Sequence, residues 1–230
     1  MPGCARTPNV DLTRVELPVA WAAIGWIVAA PVLALALLRA PWSRFADGEQ
    51  VHVWYGTLFA LILLWSIQAT VGEGFTFHLL GIAALTLTAG PALALVGSAA
   101  AVLVLMLVKG GVWASGPLAW VTMAALPVAV TWATLRLAER RLPPNFFVYV
   151  FVVAFFGAAL SLIAAGLAGA LVLTLGAGRP AELVFGDYVP YLVYLAFGEA
   201  TLNGMALTLL VVYRPHWVVS FDDRRYILGR

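Results

Sequence analysis

The sequence predicts an all-α membrane protein, a polytopic bundle of about seven transmembrane helices with the N-terminus outside and the C-terminus inside. Of its 230 residues, 63% are hydrophobic and only 10% are charged, whereas a soluble domain averages about 25% charged residues. Apolar runs of roughly 20 residues recur along the chain, and helices of that length cross a hydrocarbon core about 30 Å thick. Basic residues are concentrated in alternate connections, which is the pattern that orients membrane helices.

Seven spans joined by short connections account for these apolar runs. They cover residues 18–38, 51–71, 76–89, 91–108, 118–137, 146–175 and 188–213. The third and fourth come from one uncharged stretch, which Gly90-Pro91 divides because proline removes a backbone donor and disfavours helix at the residue before it. Both of these spans are short for a bilayer, so we expect protein rather than lipid to surround them. A polar N-terminal tail, 1–17, precedes the transmembrane domain, 18–213.

The positive charges predict which ends of the spans face the cytoplasm, because arginine and lysine are enriched in cytoplasmic loops. Most lie in the connections after spans one and five and in the C-terminal tail, 214–230: Arg39, Arg44, Arg136, Arg140, Arg141, Arg214, Arg224, Arg225 and Arg230. The opposite ends carry few charges of mixed sign: Glu73, Lys109, Arg179, Glu182 and Asp187. We therefore expect a multi-pass protein surrounded by lipid in the bacterial cell inner membrane. Its cytoplasmic tail is either a solvated end or a docking segment for a partner.

The motifs that the chain lacks argue against several functions. The only lysine, Lys109, belongs to no G-x-x-x-x-G-K-[ST] run, so any energy from nucleotide must come from a partner chain. No Ser/His pair, paired carboxylate or His-Glu-x-x-His run lies in the spans, which argues against an enzyme. The single cysteine, Cys4, excludes an intramolecular disulfide and a multi-cysteine metal centre. We expect no permanently bound cofactor and no nucleic-acid partner.

One acidic residue, Glu199, lies near the middle of the last predicted span. A charge at that depth costs roughly 2.5–3.5 kcal/mol, and such residues face a cavity or a partner. Asn203 follows one helical turn later on the same face, so the two side chains can form a hydrogen bond. Two interpretations stay open: a buried structural network, or a polar element of a substrate or proton path.

The other candidate site is His78, just after the turn Gly72-Glu73-Gly74 and at the start of the third predicted span. A neutral imidazole is a good ligand for a borderline transition metal, although a histidine here could also cap a helix or fill the core. Glu73, five residues earlier, could share an ion with His78 or be an exposed turn carboxylate. His52 is expected at the opposite end of the spans, so it should not join them.

The order of several short motifs points to a known family. His78-Leu79-Leu80-Gly81 is followed by Gly90-Pro91, by Gly110-Gly111 and by a methionine-bearing helix, 123–127, and the last span contains Gly198-Glu199. This succession resembles the CbiM family, the substrate-capturing membrane component of energy-coupling-factor transporters for cobalt and nickel. The resemblance covers most of the chain. It implies seven spans, an outside N-terminus, and a separate transmembrane coupling protein with cytoplasmic ATPase subunits as partners.

By this resemblance, His78 corresponds to the family's internal metal-binding histidine, and the substrate would be a divalent transition-metal ion of the cobalt or nickel class. The family's other ligands come from a Met-His start, whereas this chain begins Met1-Pro2-Gly3-Cys4. A proline at position 2 also lacks the backbone N–H that the family's site uses. Two alternatives follow: a capture component whose substrate has changed, or a non-transporting membrane scaffold or assembly factor that kept the fold and lost the metal site.

Overall fold

The structure is a computed structural model that describes residues 12–46, 48–71 and 75–226. In chain order its main helices, apart from short helical turns in the connections and the C-terminal segment, are α1 (Val19–Arg39), α2 (Gly48–Ser66), α3 (Ile82–Ala89), α4 (Pro91–Lys109), α5 (Gly116–Arg141), α6 (Val148–Gly176) and α7 (Tyr191–Tyr213). Among the described residues, α1, α4, α5, α6 and α7 are long and apolar enough to cross a membrane. These helices agree with the predicted all-α membrane bundle.

A small antiparallel hairpin, which the sequence analysis did not predict, interrupts the helices. Strand β1 (Ala69–Val71) pairs with β2 (Phe75–Phe77), with Ala69 opposite Phe77. The predicted second span includes β1 and the predicted third span includes most of β2, and both assignments are wrong because these residues form strands. Phe75 and Phe77 are both buried on one face of β2, the two-residue period of a strand.

The third predicted span is helical only in its second half, because α3 begins at Ile82. Residues 78–81 lead into it without regular structure, and Gly81 has a φ of 65°, which glycine adopts readily. The helix has eight residues, seven of them buried, so it is about 12 Å long at 1.5 Å per residue. Irregular backbone is tolerated at membrane depth only where protein surrounds it. The expected protein environment of this segment is therefore present.

The short helix α3 lies at the centre of the bundle. It contacts α2, α4, α5, α6 and α7, and Ile82 and Leu85 belong to the largest buried apolar cluster. Its C-terminal end turns into α4 at Gly90, where φ is 86°, and Pro91 occupies the first position of α4. Proline is well suited to that position because its missing N–H would have had no helical partner.

The segment after α7 packs against the bundle rather than extending into solvent. It contains a 3-10 turn, Pro215–Trp217, and a helical turn, Asp223–Tyr226. The backbone N–H groups of Val219 and Ser220 donate to the carbonyls of Thr88 and Leu87, both at 3.2 Å. Carbonyls at the end of a helix have no partner within it, and those of Leu87 and Thr88 are therefore satisfied by the C-terminal segment.

The close contact between α1 and α5 leads to a stability prediction. A Cβ added at Gly25 would lie 2.8 Å from the backbone nitrogen of Leu118 and 2.9 Å from its Cβ. Neither atom can move away by a side-chain rotation, so Gly25→Ala should lower the free energy of unfolding by about 1–3 kcal/mol, as overpacking does. Thermal unfolding in detergent measures the loss. Gly56→Ala is the control, because nothing lies within 4 Å of its added Cβ, and equal destabilisation of both variants would contradict the prediction.

Candidate functional site

His78 lies between β2 and α3 and is partly buried. Its side chain lines two adjoining cavities, of about 80 Å³ and about 20 Å³. Around the larger are Thr76, Phe77, Thr122, Met123 and Tyr188; around the smaller are Thr13, Trp65, Gln68, Lys109 and Met123. Pockets for organic ligands usually measure roughly 300–1,000 Å³, so these cavities suit an ion or a few water molecules.

The imidazole of His78 has a defined orientation. Its Nδ1 lies 3.1 Å from the carbonyl oxygen of Leu79, and since a carbonyl can only accept, Nδ1 must donate the proton. In the neutral ring the lone pair is then on Nε2. Metal-binding histidines are commonly oriented in this way, through a hydrogen bond from the other ring nitrogen to a carbonyl.

Glu199 and Asn203 come together at the N-terminal end of α3. The two carboxylate oxygens of Glu199 accept from the backbone N–H groups of Leu80 and Gly81, both at 2.7 Å. Asn203 Nδ2 donates to Glu199 Oε1 at 2.9 Å, and its Oδ1 accepts from the N–H of Ala84 at 2.9 Å. The first N–H groups of a helix lack helical partners and attract negative charge. The pair therefore holds the backbone that follows His78, through hydrogen bonds to residues 80, 81 and 84.

Trp65, at the end of α2, is a further positioning residue that the sequence analysis did not single out. Its Nε1 donates to the carbonyl of Leu80 at 2.8 Å, and its ring centroid lies 5.9 Å from that of His78. Residue 80 is thus held through its N–H by Glu199 and through its C=O by Trp65. A buried indole needs an acceptor, but nothing in the sequence indicates which carbonyl supplies it.

The chain before α1 approaches the same cavities. Leu12 and Thr13 line them, the carbonyl of Thr13 accepts from the N–H of Val112 at 2.8 Å, and Arg14 Nη2 donates to the carbonyl of Lys109 at 3.2 Å. The N-terminal segment is therefore held against the loop that joins α4 to α5. This position close to His78 was not evident from the sequence.

His52 lies apart from His78, as the sequence analysis expects. Glu73 lies outside the described residues. His52 is exposed in the first turns of α2, where its Nδ1 is hydrogen-bonded to the carbonyl of Gly48, and it is 13 positions, or about 20 Å along the helix, from Trp65. Across residues 12–46, 48–71 and 75–226, no group of three or more His, Cys, Asp or Glu is arranged to hold a metal.

Comparisons with known proteins agree with this architecture. The CbiM family profile, described as the cobalt uptake substrate-specific transmembrane region, matches residues 15–217. The crystal structure of a truncated transition metal transporter superposes with a TM-score of 0.72 at 21% identity, covering 86% of this chain and 96% of that one. A second transition metal transporter gives 0.70 at 20% identity, covering 84% and 89%. No curated protein matches significantly. The two structures establish the fold, and the profile match shows that the chain belongs to the CbiM family of membrane transport components and is not an enzyme.

Proposed function

We propose that this chain captures a divalent transition-metal ion of the cobalt or nickel class from outside the cell, as the substrate-binding permease component of an energy-coupling-factor ABC transporter. The observation that carries the proposal is the oriented imidazole of His78 beside an ion-sized cavity. Family membership supports the transport role.

The surroundings of His78 suit capture of an ion by a fixed donor. Imidazole binds borderline ions such as nickel and zinc, and donors held rigidly by neighbouring groups bind a metal better than mobile ones. The carboxylate of Glu199 and the indole of Trp65 restrain residue 80 from both sides. We further propose Glu73, five residues earlier in the sequence, as an acidic ligand.

The contacts between connections support the proposed topology of seven spans with the N-terminus outside. Near His78, the segment before α1 meets the α4–α5 loop, and Lys109 Nζ donates to the carbonyls of Trp65 and Ser66 at 3.2 Å. At the other end, Arg44 Nη1 donates to the carbonyl of Ala89 and Gln50 Nε2 to that of His216. The arginine-rich connections are at this second end, which we assign to the cytoplasm. The coupling protein would act on the chain within the membrane, and the ATPase subunits would act from the cytoplasmic side.

Metal content tests the proposal directly. The wild type, His78→Ala and His52→Ala are purified in detergent through a histidine-free affinity tag, equilibrated separately with Co²⁺, Ni²⁺ and Zn²⁺, and freed of unbound ion. Mass spectrometry of the metal should find close to one ion per chain in the wild type and in His52→Ala. His78→Ala should lose at least roughly tenfold in affinity, since it loses a direct ligand and even outer-sphere changes cost 10–100-fold.

Two further measurements make the result decisive. An unchanged melting temperature of His78→Ala shows that the loss is local, and Glu73→Gln should weaken binding if that carboxylate shares the ion. Full occupancy of His78→Ala would refute His78 as the ligand. A wild type that binds none of the three ions would instead favour a membrane scaffold or assembly factor.

A further inference from the structure

We propose that Met123 supplies a thioether ligand to the ion held by His78, which makes the site selective for ions that accept sulfur. This inference rests on the proposed function, because it requires an ion at His78. It adds a donor from α5 that neither the family description nor the sequence motifs assign.

The first observation is the position of the two side chains. Among the described residues, His78 and Met123 are the two that line both cavities. The larger cavity continues toward α6 and α7, past Gly166 and Leu192, and the smaller one toward α4, past Val102. The two residues therefore lie where the cavities adjoin, so an ion bound there could contact both side chains.

The second observation is the local backbone around Met123. The residue lies at the centre of a π-helical turn, Val121–Ala125, within α5, and such wider turns recur at functional sites. The neighbouring Thr122 hydroxyl donates to the carbonyls of Leu118 and Ala119, at 3.1 Å and 3.0 Å. Thr122 lines only the larger cavity, so among the described residues of α5 Met123 is the one that lines both cavities.

The chemistry of the pair defines the ions it should prefer. A thioether is a neutral, soft donor, and it can be buried beside apolar residues such as Val102 and Leu105 without the cost of burying a charge. Soft sulfur ligands favour ions such as Cu⁺, and imidazole suits nickel, copper and zinc. A histidine–methionine pair should therefore hold Ni²⁺ more strongly than Co²⁺, and replacement of the sulfur should reduce that preference.

X-ray absorption spectroscopy of the nickel-loaded protein tests this directly. The wild type should show a sulfur neighbour of nickel that is lost in Met123→Leu, a change of similar volume that cores tolerate well. Met123→Leu should also raise the Kd for Ni²⁺ on the order of tenfold, by analogy with the loss of ligand-supporting groups, and the Kd for Co²⁺ by less. Two control variants should keep the sulfur signal. Met205→Leu removes a methionine that is 63% exposed on α7, and Cys4→Ser removes the only thiol of the chain.

The outcomes separate this inference from the proposed function. Nickel bound through His78 with only nitrogen and oxygen neighbours in the wild type would overturn the role of Met123 and leave metal capture intact. A sulfur signal that disappears in Cys4→Ser but persists in Met123→Leu would also overturn it. Absence of bound nickel, cobalt and zinc in the wild type would refute both.

Discussion

Replacing Glu199 with alanine should give a large loss of stability at the end of the bundle that carries His78. The substitution leaves the N–H groups of Leu80 and Gly81 without their acceptor in a region where Glu199 itself is 0% exposed. Each buried donor left unsatisfied costs about 1–3 kcal/mol, so the free energy of unfolding should fall by about 2–6 kcal/mol. Thermal and denaturant unfolding of the detergent-solubilised protein would measure this loss.

Two companion variants show whether the effect comes from these hydrogen bonds. Glu199→Gln keeps one acceptor oxygen but turns an NH₂ group toward the other backbone donor, so its stability should lie between those of the wild type and Glu199→Ala. Glu182→Ala removes an exposed carboxylate and should change stability by less than about 0.5 kcal/mol.

The same experiment distinguishes the two roles that the sequence left open for Glu199. A structural network predicts that stability and metal affinity fall together, because the backbone at residue 80 is released. If Glu199→Ala melted like the wild type and abolished transport with metal binding intact, the carboxylate would belong to a substrate or proton path instead.

Replacing Phe221 with alanine should be similarly damaging, at the opposite end of α3. The ring is 7% exposed, and its centroid lies 4.9 Å from that of Tyr149 and 5.2 Å from that of Tyr226. Truncation of a buried aromatic side chain costs about 3–5 kcal/mol. The loss should also loosen the neighbouring backbone of Val219 and Ser220, which donates to the last carbonyls of α3.

Unfolding curves and limited proteolysis of the C-terminal segment would test this. Tyr213→Ala is a suitable control because that aromatic side chain is 74% exposed and should contribute little. Arg225→Ala removes an ion pair with Glu139 but leaves that carboxylate paired with Arg136, so it should cost no more than about 1 kcal/mol. A Phe221→Ala protein as stable and protease-resistant as the wild type would show that the segment is not bound as the structure has it.

The two ends of α3 explain why its boundaries could not be derived from the sequence. The stretch 75–108 is apolar and uncharged, and in such a run hydrophobic periodicity does not separate a buried strand from a buried helix. The break at Gly90-Pro91 was recognisable because proline and glycine act locally. The start of the helix at Ile82 depends instead on Glu199, Asn203 and Trp65, whose contacts with residues 80–84 come from distant parts of the chain.

Some residues of the candidate site were likewise identified from the sequence, and others only from the structure. Histidine chemistry and the motif order identified His78 from the sequence, and the cost of a buried carboxylate identified Glu199. The sequence did not show that Glu199 binds the backbone beside His78, because the cost of a buried charge implies a partner without specifying which group it is. Trp65 carried no distinguishing signal, since tryptophan is an ordinary residue in apolar spans, and Met123 belonged to the motif succession without being identified as a ligand.

The sequence by itself determined that the chain is a helical membrane protein, because composition and the length of apolar runs depend only on the transfer of residues into lipid. It also determined the helix break at Gly90-Pro91 and which polar residues must have a special environment. Only the tertiary structure decided what those environments are: Glu199 on the N-terminus of α3, the C-terminal segment on its other end, and His78 together with Met123 in the lining of two adjoining cavities. Hydrogen bonds and cavities of this kind join residues more than 40 positions apart, and their geometry is set by how the helices pack rather than by any local pattern.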